Sequence, residues 1–439
     1  MTTTPEDVER ADQPRGFDRF RNEVMAGGSV TENRAPAIDD GEPIGGGLSG
    51  TIAGLAIVAL FVWLAVTNQW MFLFAMGILV SVFLHETGHF VTARLTGMKA
   101  TQFFIGFGPR LWSFHRGETE YGVRLLPLGA FVRIIGMNNL DEVPPADEGR
   151  TYRQASFPRR MLVITAGSIM HVLIAIVLFF AVFSTRGELV SVPGAEIGQV
   201  SAESAAAVAG LRGDDVIVSV GGLDVGDDGD LGAIVRQFAP GDTVPIVVER
   251  NGSPLTVDAT LGTNTDADSE YEGTALLGVS SRGVAEWQEM SIGEAAGSSV
   301  TDLIPATWES TKGIVQVVNP VNIYEHLSGT NDDLATRPTT VVGVTQVAGD
   351  IGATDGLAGV VFVLGALNVF VGVFNMFPLL PLDGGHAAIA VYERVREFGR
   401  NGRRYFTDVA KLMPFTMGVV VVLLFLFMSG LYLDITQPL

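Results

Sequence analysis

Charged residues disappear from four long stretches of this chain. No Asp, Glu, Lys or Arg occurs from Pro43 to His85, from Met161 to Thr185, from Gly356 to Leu382, or from Leu412 to Leu433. An α-helix needs about 20 apolar residues to cross the hydrocarbon core of a bilayer, so each stretch predicts at least one membrane span. The first is long enough for two, and Thr67-Asn68-Gln69-Trp70 in its middle is a natural turn with an interfacial Trp. Five spans are therefore predicted, near 51–67, 70–95, 158–185, 356–382 and 413–434. Residues 1–48 are polar, acidic and rich in Gly and Pro. They predict a disordered tail, with no secretory signal peptide ahead of the first span.

The region between the third and fourth spans has a different rhythm. A short helix is predicted to stop at Gly210, and Asp214-Asp215 turns into the alternating strand Val216–Val220, closed by a turn at Gly221-Gly222. Asp230–Phe238 predicts a helix, and Val244–Glu249 with Leu255–Leu261 a hairpin around Asn251-Gly252. Residues 263–300 are rich in Thr, Asp, Ser and Gly and read as loop. Residues 301–326 predict an amphipathic helix, with Ile304, Trp308, Ile314 and Val318 on one side. No heptads or solenoid repeats occur.

Composition narrows the class further. Of 439 residues 47% are hydrophobic and only 17% charged, too few charges for the surface of one soluble globule. The net charge of −20 argues against nucleic acid as a partner, since nothing offsets phosphate repulsion. With Cys 0, disulfides, thiolate metal sites and Cys nucleophiles are excluded, and any metal must be held by His and carboxylate. Basic residues orient the spans. The 94–160 loop carries ten Lys/Arg, and Arg394, Arg396, Arg400, Arg403, Arg404 and Lys411 crowd another short loop. Residues 186–356 hold only seven Lys/Arg against 26 Asp/Glu. The positive-inside rule makes the basic loops and the N-terminus cytoplasmic and the 186–356 region extracytoplasmic.

His85-Glu86-Thr87-Gly88-His89 is an HExxH pattern. On a helix the two His lie one turn apart on one face and can reach one Zn²⁺, while Glu86 can move protons for a water on that metal. The motif follows Leu79–Leu84, inside an apolar span, where an ionisable cluster is costly and marks a functional site. A catalytic zinc needs a third protein ligand. His171, inside the third span, and His386 are candidates; His115 reads as exposed and His326 lies on the outer side. Asp383 is the stronger choice, a lone carboxylate closing a 27-residue uncharged run, with Gly384-Gly385 behind it to permit close backbone approach.

These motifs resemble the site-2 protease family of intramembrane zinc metalloproteases. The pair that carries the resemblance is HExxH in one span and Asn375-Met376-Phe377-Pro378-Leu379-Leu380-Pro381-Leu382-Asp383-Gly384-Gly385-His386 in a later one. Residues 105–132, from Ile105-Gly106-Phe107-Gly108-Pro109 to Pro127-Leu128-Gly129-Ala130-Phe131-Val132, resemble the family's membrane-associated β-region. Residues 204–222 resemble the bacterial PDZ signature, as in the actinobacterial regulated-intramembrane-proteolysis branch and the regulator of sigma-E protease. The resemblance implies an α-helical polytopic membrane protein with an inserted extracytoplasmic PDZ domain. It places zinc on His85, His89 and Asp383, the catalytic carboxylate on Glu86, and a contact to the substrate backbone on Asn375, with Pro378 beside it. The strand through Gly129 and Phe131 offers an edge for β-addition of an unwound substrate. In one place the chain departs from the family's Gly-Pro-x-x-Asn: Gly167-Ser168-Ile169-Met170-His171 puts His171 where Asn is usual. His171 is then a polar packing residue, a hydrogen-bond donor to site or substrate, or a fourth ligand.

The implied organisation is a cytoplasmic tail (1–48), two spans with HExxH (49–97), a cytoplasmic β-region (98–157) and a third span (158–185). A PDZ domain (186–262), a linker with an amphipathic helix (263–355), a span with the Asp383 motif (356–390), a basic cytoplasmic loop (391–412) and a last span (413–434) follow. The implied activity is hydrolysis of single-span membrane proteins, such as anti-sigma factors or signal-peptide remnants, after a first cleavage outside. Two other readings remain open: a membrane PDZ adaptor with a structural metal, and a divalent-metal transporter. A structural zinc would have four protein ligands, and a transporter would show repeats and several midplane carboxylates.

Overall fold

The computed structural model describes residues 48–137, 141–227, 229–266, 271–331, 333–399 and 404–438. The expected tail, up to residue 47, lies outside them, as do Arg400 and Arg403 of the basic loop. The chain divides into two compact units, Phe183–Ala295 and the chain on either side of it.

The membrane-type unit begins with α1 (Leu48–Thr67) and α2 (Gln69–Leu95), separated by a single residue. That residue, Asn68, caps α2: its side-chain oxygen accepts from the N–H of Trp70 and Met71 at 3.1 and 3.0 Å. Two long bent strands follow, β1 (Ala100–Arg116) and β2 (Thr119–Ile134). Their register sets residues 102–105 between 120–123 on one side and 130–133 on the other. The 130–133 segment therefore forms an edge. Next comes α3 (Phe157–Arg186), the third long apolar helix.

The second unit is built on a sheet whose strands alternate buried and exposed positions. Its elements are β3 (Glu188–Val200), α4 (Ala205–Ala209), β4 (Val216–Val220), β5 (Leu223–Asp224), α5 (Leu231–Val235), β6 (Thr243–Arg250), β7 (Ser253–Thr260), β8 (Gly262–Thr263), β9 (Ala275–Leu276) and β10 (Val279–Gln288). The strand order is β10-β3-β4-β6-β7, with β5 on β4. Ala195, Ile197, Ile217, Val220, Ile246 and Val248 fill its core. Asp215, buried at the head of β4, pairs with Arg250 at 2.6 Å and accepts from the Arg212 N–H. The Arg250 hydrogen bond holds its carboxyl below the usual carboxylate range. Two expectations are corrected here. Residues 263–300 are not simply loop: β10 pairs with β3 along its length, and α6 (Ile292–Thr301) follows. The helix expected over 230–238 is only five residues long.

The chain then returns to the first unit with α7 (Leu303–Val317), α8 (Pro320–Ser328), α9 (Val341–Asn375), α10 (Asp383–Phe398) and α11 (Met413–Thr436). The single amphipathic helix expected over 301–326 is broken at Asn319-Pro320, where Asn319 caps the second helix. Of its apolar stripe only Ile314 is buried; Ile304, Trp308 and Val318 are exposed. Within α9, Gly356 (φ 66°, ψ −147°) is non-helical. It divides α9 into a helix from Val341 and a second one that starts where the span was expected, near residue 356, and ends at Asn375. The basic loop expected over 391–412 is helical as far as Phe398.

Four described helices are long and apolar enough to cross a membrane: Gln69–Leu95, Phe157–Arg186, Val341–Asn375 and Val409–Thr436. Within α1 a shorter apolar stretch, Gly54–Thr67, stands where the first of the five expected spans lies. The buried face of α9 is rich in small residues, among them Gly343, Ala348, Gly349, Gly352, Gly359, Gly365 and Gly372. Without side chains to hold helices apart, α9 packs closely on its neighbours, as small residues allow within lipid.

Candidate metal centre

Three helices converge on one point. Helix α2 carries His85 and His89 one turn apart, so both imidazoles leave the same face. Asp383 is the first residue of α10. His85 Nε2 and His89 Nε2 are 3.1 Å apart, and Asp383 Oδ2 lies 3.4 and 3.3 Å from them. For a tetrahedral ion with metal–ligand distances of about 2.0–2.1 Å, ligand atoms stand roughly 3.3 Å apart, so this triangle matches three corners of such a site. Among the described residues this is the one cluster of His and carboxylate that meets at a point.

The chemistry of the donors supports the same conclusion. Asp383 Oδ2 is buried with no hydrogen-bond donor, although a buried carboxylate oxygen needs one or a cation. His89 Nδ1 lies 2.7 Å from the Val163 carbonyl, which can only accept, so Nδ1 bears the proton and Nε2 the lone pair. The third helix, α3, supplies empty space. A Cβ on Gly167 would collide with ring atoms of both His85 and His89. These residues fit a dication held by two imidazoles and one carboxylate.

Glu86 stands beside the triangle. Its Oε2 accepts from the backbone N–H of Val132 on the edge of β2 at 3.1 Å, and its Oε1 is 4.0 Å from His85 Nε2. One carboxylate oxygen is thus anchored while the other faces the ligands. Helix α10 is held in turn by a buried ion pair, Arg160 to Glu393 at 2.5 Å, whose second oxygen accepts from the Thr407 N–H at 2.7 Å. Gly384 and Gly385 are helical, and a Cβ on either would strike the backbone of 376–380. Their part is close approach, not a turn.

The other candidates fall elsewhere. His171 is not within the triangle; its Nδ1 is 2.8 Å from Asn368 Oδ1. His386 is buried and lines a cavity of about 30 Å³ with Tyr152, Arg160 and Glu393. His115 is exposed, and His326 is buried against Thr336. Asn375 ends α9 half-buried, and Pro378 lies exposed in the turn before α10. Gly129 and Phe131 are buried in β2, and the Phe131 ring is spent on stacking against Phe104 and Phe107.

The profile of Peptidase family M50 matches residues 73–424, most of the chain and both halves of the centre. The chain belongs to peptidase family M50. Zinc metalloprotease Rip1 of Mycobacterium tuberculosis is 33% identical over 397 residues, covering 83% of this chain and 97% of that protein. Rip1 of Mycolicibacterium smegmatis is 33% identical over 400 residues, 84% of this chain and 97% of its own. Zinc metalloprotease RasP of Shouchella clausii is 26% identical over 392 residues, 72% and 88% of the two chains. The M50 chain is a peptidase, and the adaptor and transporter readings give way to that. Three residues that pack on or hydrogen-bond to the centre's side chains or to His171 carried no signal as such in the sequence. Gly167 stood in the stretch where the family pattern departs, and Asn368 is one of only two polar side chains, with Asn375, in the 356–382 run. Val132 meets Glu86 through its backbone N–H, which no residue type reveals.

Proposed function

We propose that this M50 peptidase is an intramembrane endopeptidase that hydrolyses single-span membrane proteins already shortened outside the membrane. The observation that carries it is the meeting of His85 and His89, with Glu86 beside them on a helix of membrane-spanning length, and Asp383 at the start of α10. Zinc bound by those three residues supplies an electrophile that polarises the scissile carbonyl and acidifies the attacking water. Glu86 accepts the proton of that water on Oε1 and returns it to the leaving amine. Val132 keeps Oε2 in place through the cycle. The Val163 carbonyl fixes His89, and the bare face of Gly167 leaves room for both rings.

A helix hides its own carbonyls, so a transmembrane substrate must unwind before cleavage. The edge of β2 at 129–133 pairs on one side only among the described residues, which supports addition of an extended substrate strand there. Asn375 and Pro378, just ahead of Asp383, are the further substrate contacts in this reading. The substrates are membrane-anchored proteins such as anti-sigma factors or signal-peptide remnants. Residues 186–262, extended by the strands to Gln288, act as an extracytoplasmic PDZ domain that screens bulky ectodomains. The basic loops and the N-terminus are cytoplasmic, and α1 is a fifth span.

The deciding experiment replaces Glu86 with Gln. The Glu86→Gln chain should keep its zinc and stop cleaving a co-expressed single-span substrate. Cleavage at the wild-type rate would remove Glu86 from the mechanism.

A further inference from the structure

A ligand histidine leaves one atom unaccounted for. If His85 binds the metal through Nε2, its Nδ1 bears the proton and needs an acceptor. In the structure Nδ1 is buried and makes no hydrogen bond. One imidazole beyond the ligands lies close: His171, whose ring centre is 5.0 Å from that of His85, with the planes at 45°. No hydrogen bond joins the two rings in this structure, and a rotation of the rings is what would bring a nitrogen of one to a nitrogen of the other.

Asn368 decides which nitrogen His171 can offer. Both residues are 2% exposed. Asn368 Nδ2 lies 2.8 Å from the Leu364 carbonyl and 3.1 Å from Ser81 Oγ. A carbonyl only accepts, so the atom facing Leu364 must be the NH₂ group and the opposite atom the oxygen. That oxygen is 2.8 Å from His171 Nδ1 and also only accepts, so Nδ1 carries a proton. In a neutral imidazole Nε2 is then a bare acceptor. The bond to Asn368 is the only one His171 makes among the described residues.

We propose that Asn368 and His171 are positioning residues for the metal ligand His85. Asn368 holds His171 as its Nδ1–H tautomer, and His171 Nε2 accepts the Nδ1–H of His85. The hydrogen-bond chain runs from Leu364 and Ser81 through Asn368 and His171 to His85, and ties α9, α3 and α2 to one another around the centre. The inference rests on the metal reading of His85, His89 and Asp383. Its two halves can be tested apart.

The chain has six histidines, few enough to assign in the full-length protein labelled with ¹⁵N-histidine. In metal-free wild type, His171 should appear with Nδ1 protonated and Nε2 bare. Asn368→Leu should lose that preference. Zinc affinity, read by competition with a chelator, should fall about 10- to 100-fold in Asn368→Leu and in His171→Leu, the loss usual for the outer partner of a ligand histidine. The double variant should bind no more weakly than the poorer single variant, because the two residues act as one chain. A wild-type His171 protonated on Nε2 would overturn the proposal whatever the variants do. Wild-type zinc affinity in both single variants would overturn it too. A wild-type chain that binds no zinc would sink the metal reading itself, while the tautomer of His171 would still report on Asn368.

Discussion

The backbone N–H of Val132 is 3.1 Å from Oε2 of Glu86. A β-strand outside the helices thus holds the carboxylate proposed to move protons, and the same edge is where the proposed extended substrate would lie.

Replacing Val132 with Pro removes that donor at an edge position, where no ladder hydrogen bond is lost. Because the Val132 side chain packs in the core with Ala93, Val163 and Ile164, Val132→Ala is the control for lost packing. A hydrogen bond to a charged group contributes about 1.5–3 kcal/mol, so the cleavage rate should drop roughly 10- to 100-fold. Zinc content should stay at the wild-type level. An unchanged rate would mean that Glu86 is held by other means.

Gly167→Ala should empty the metal site. Its new Cβ would occupy the space of the His85 and His89 rings, and both carry their Nε2 atoms towards the metal. Gly418→Ala, with nothing within 4 Å of its new Cβ, is the matched control in another apolar helix. Zinc per chain, measured by elemental analysis of detergent-purified protein, separates the two. Full occupancy in Gly167→Ala would show that α3 can yield.

Asp383→Ala should lose both zinc and activity, because it removes the only anionic ligand. Asp383→Asn should weaken zinc less and still impair hydrolysis. His386→Ala should keep most activity, since His386 lines a separate cavity with Arg160 and Glu393. Zinc lost from His386→Ala but retained by Asp383→Ala would transfer the ligand role.

The proposed orientation follows from the Lys/Arg distribution alone and is open to thiol labelling in a chain with no native Cys. Single cysteines at Ser113 and Ser253 are the probes. An impermeant reagent applied to intact cells should label the Ser253 position and spare Ser113. The reverse pattern would invert the topology.

Much of the centre was legible because its chemistry is written in residue types. Two His four apart must share a helix face, and a lone Asp at the end of an uncharged run has few reasons to be there. The hairpin at Asn251-Gly252 was equally plain, and both residues adopt the positive φ that such a turn requires (51° and 72°). Boundaries set by packing were not legible. The strand Val279–Gln288 follows a Thr/Asp/Ser/Gly-rich stretch and is a strand because β3 offers it a partner. A further helix from Val341, ahead of the uncharged run and set off from it by the non-helical Gly356, forms where Thr340 and Asp434 satisfy its first N–H groups.

By itself, then, the sequence pointed to a membrane-embedded chain, a helix carrying HExxH, and Asp383 as the strongest of several candidates for the third ligand. Hydrophobic length and helical period are local properties, and lipid leaves the backbone few alternatives. Only the tertiary structure decided that Gly167 clears the space for the ligands, that Val132 anchors Glu86, and that Asn368 dictates the proton of His171. Each of these acts through an absent side chain, a backbone N–H or a partner nearly 200 residues away. A linear pattern carries no trace of such contacts, because they exist only once three helices and a strand edge have packed together.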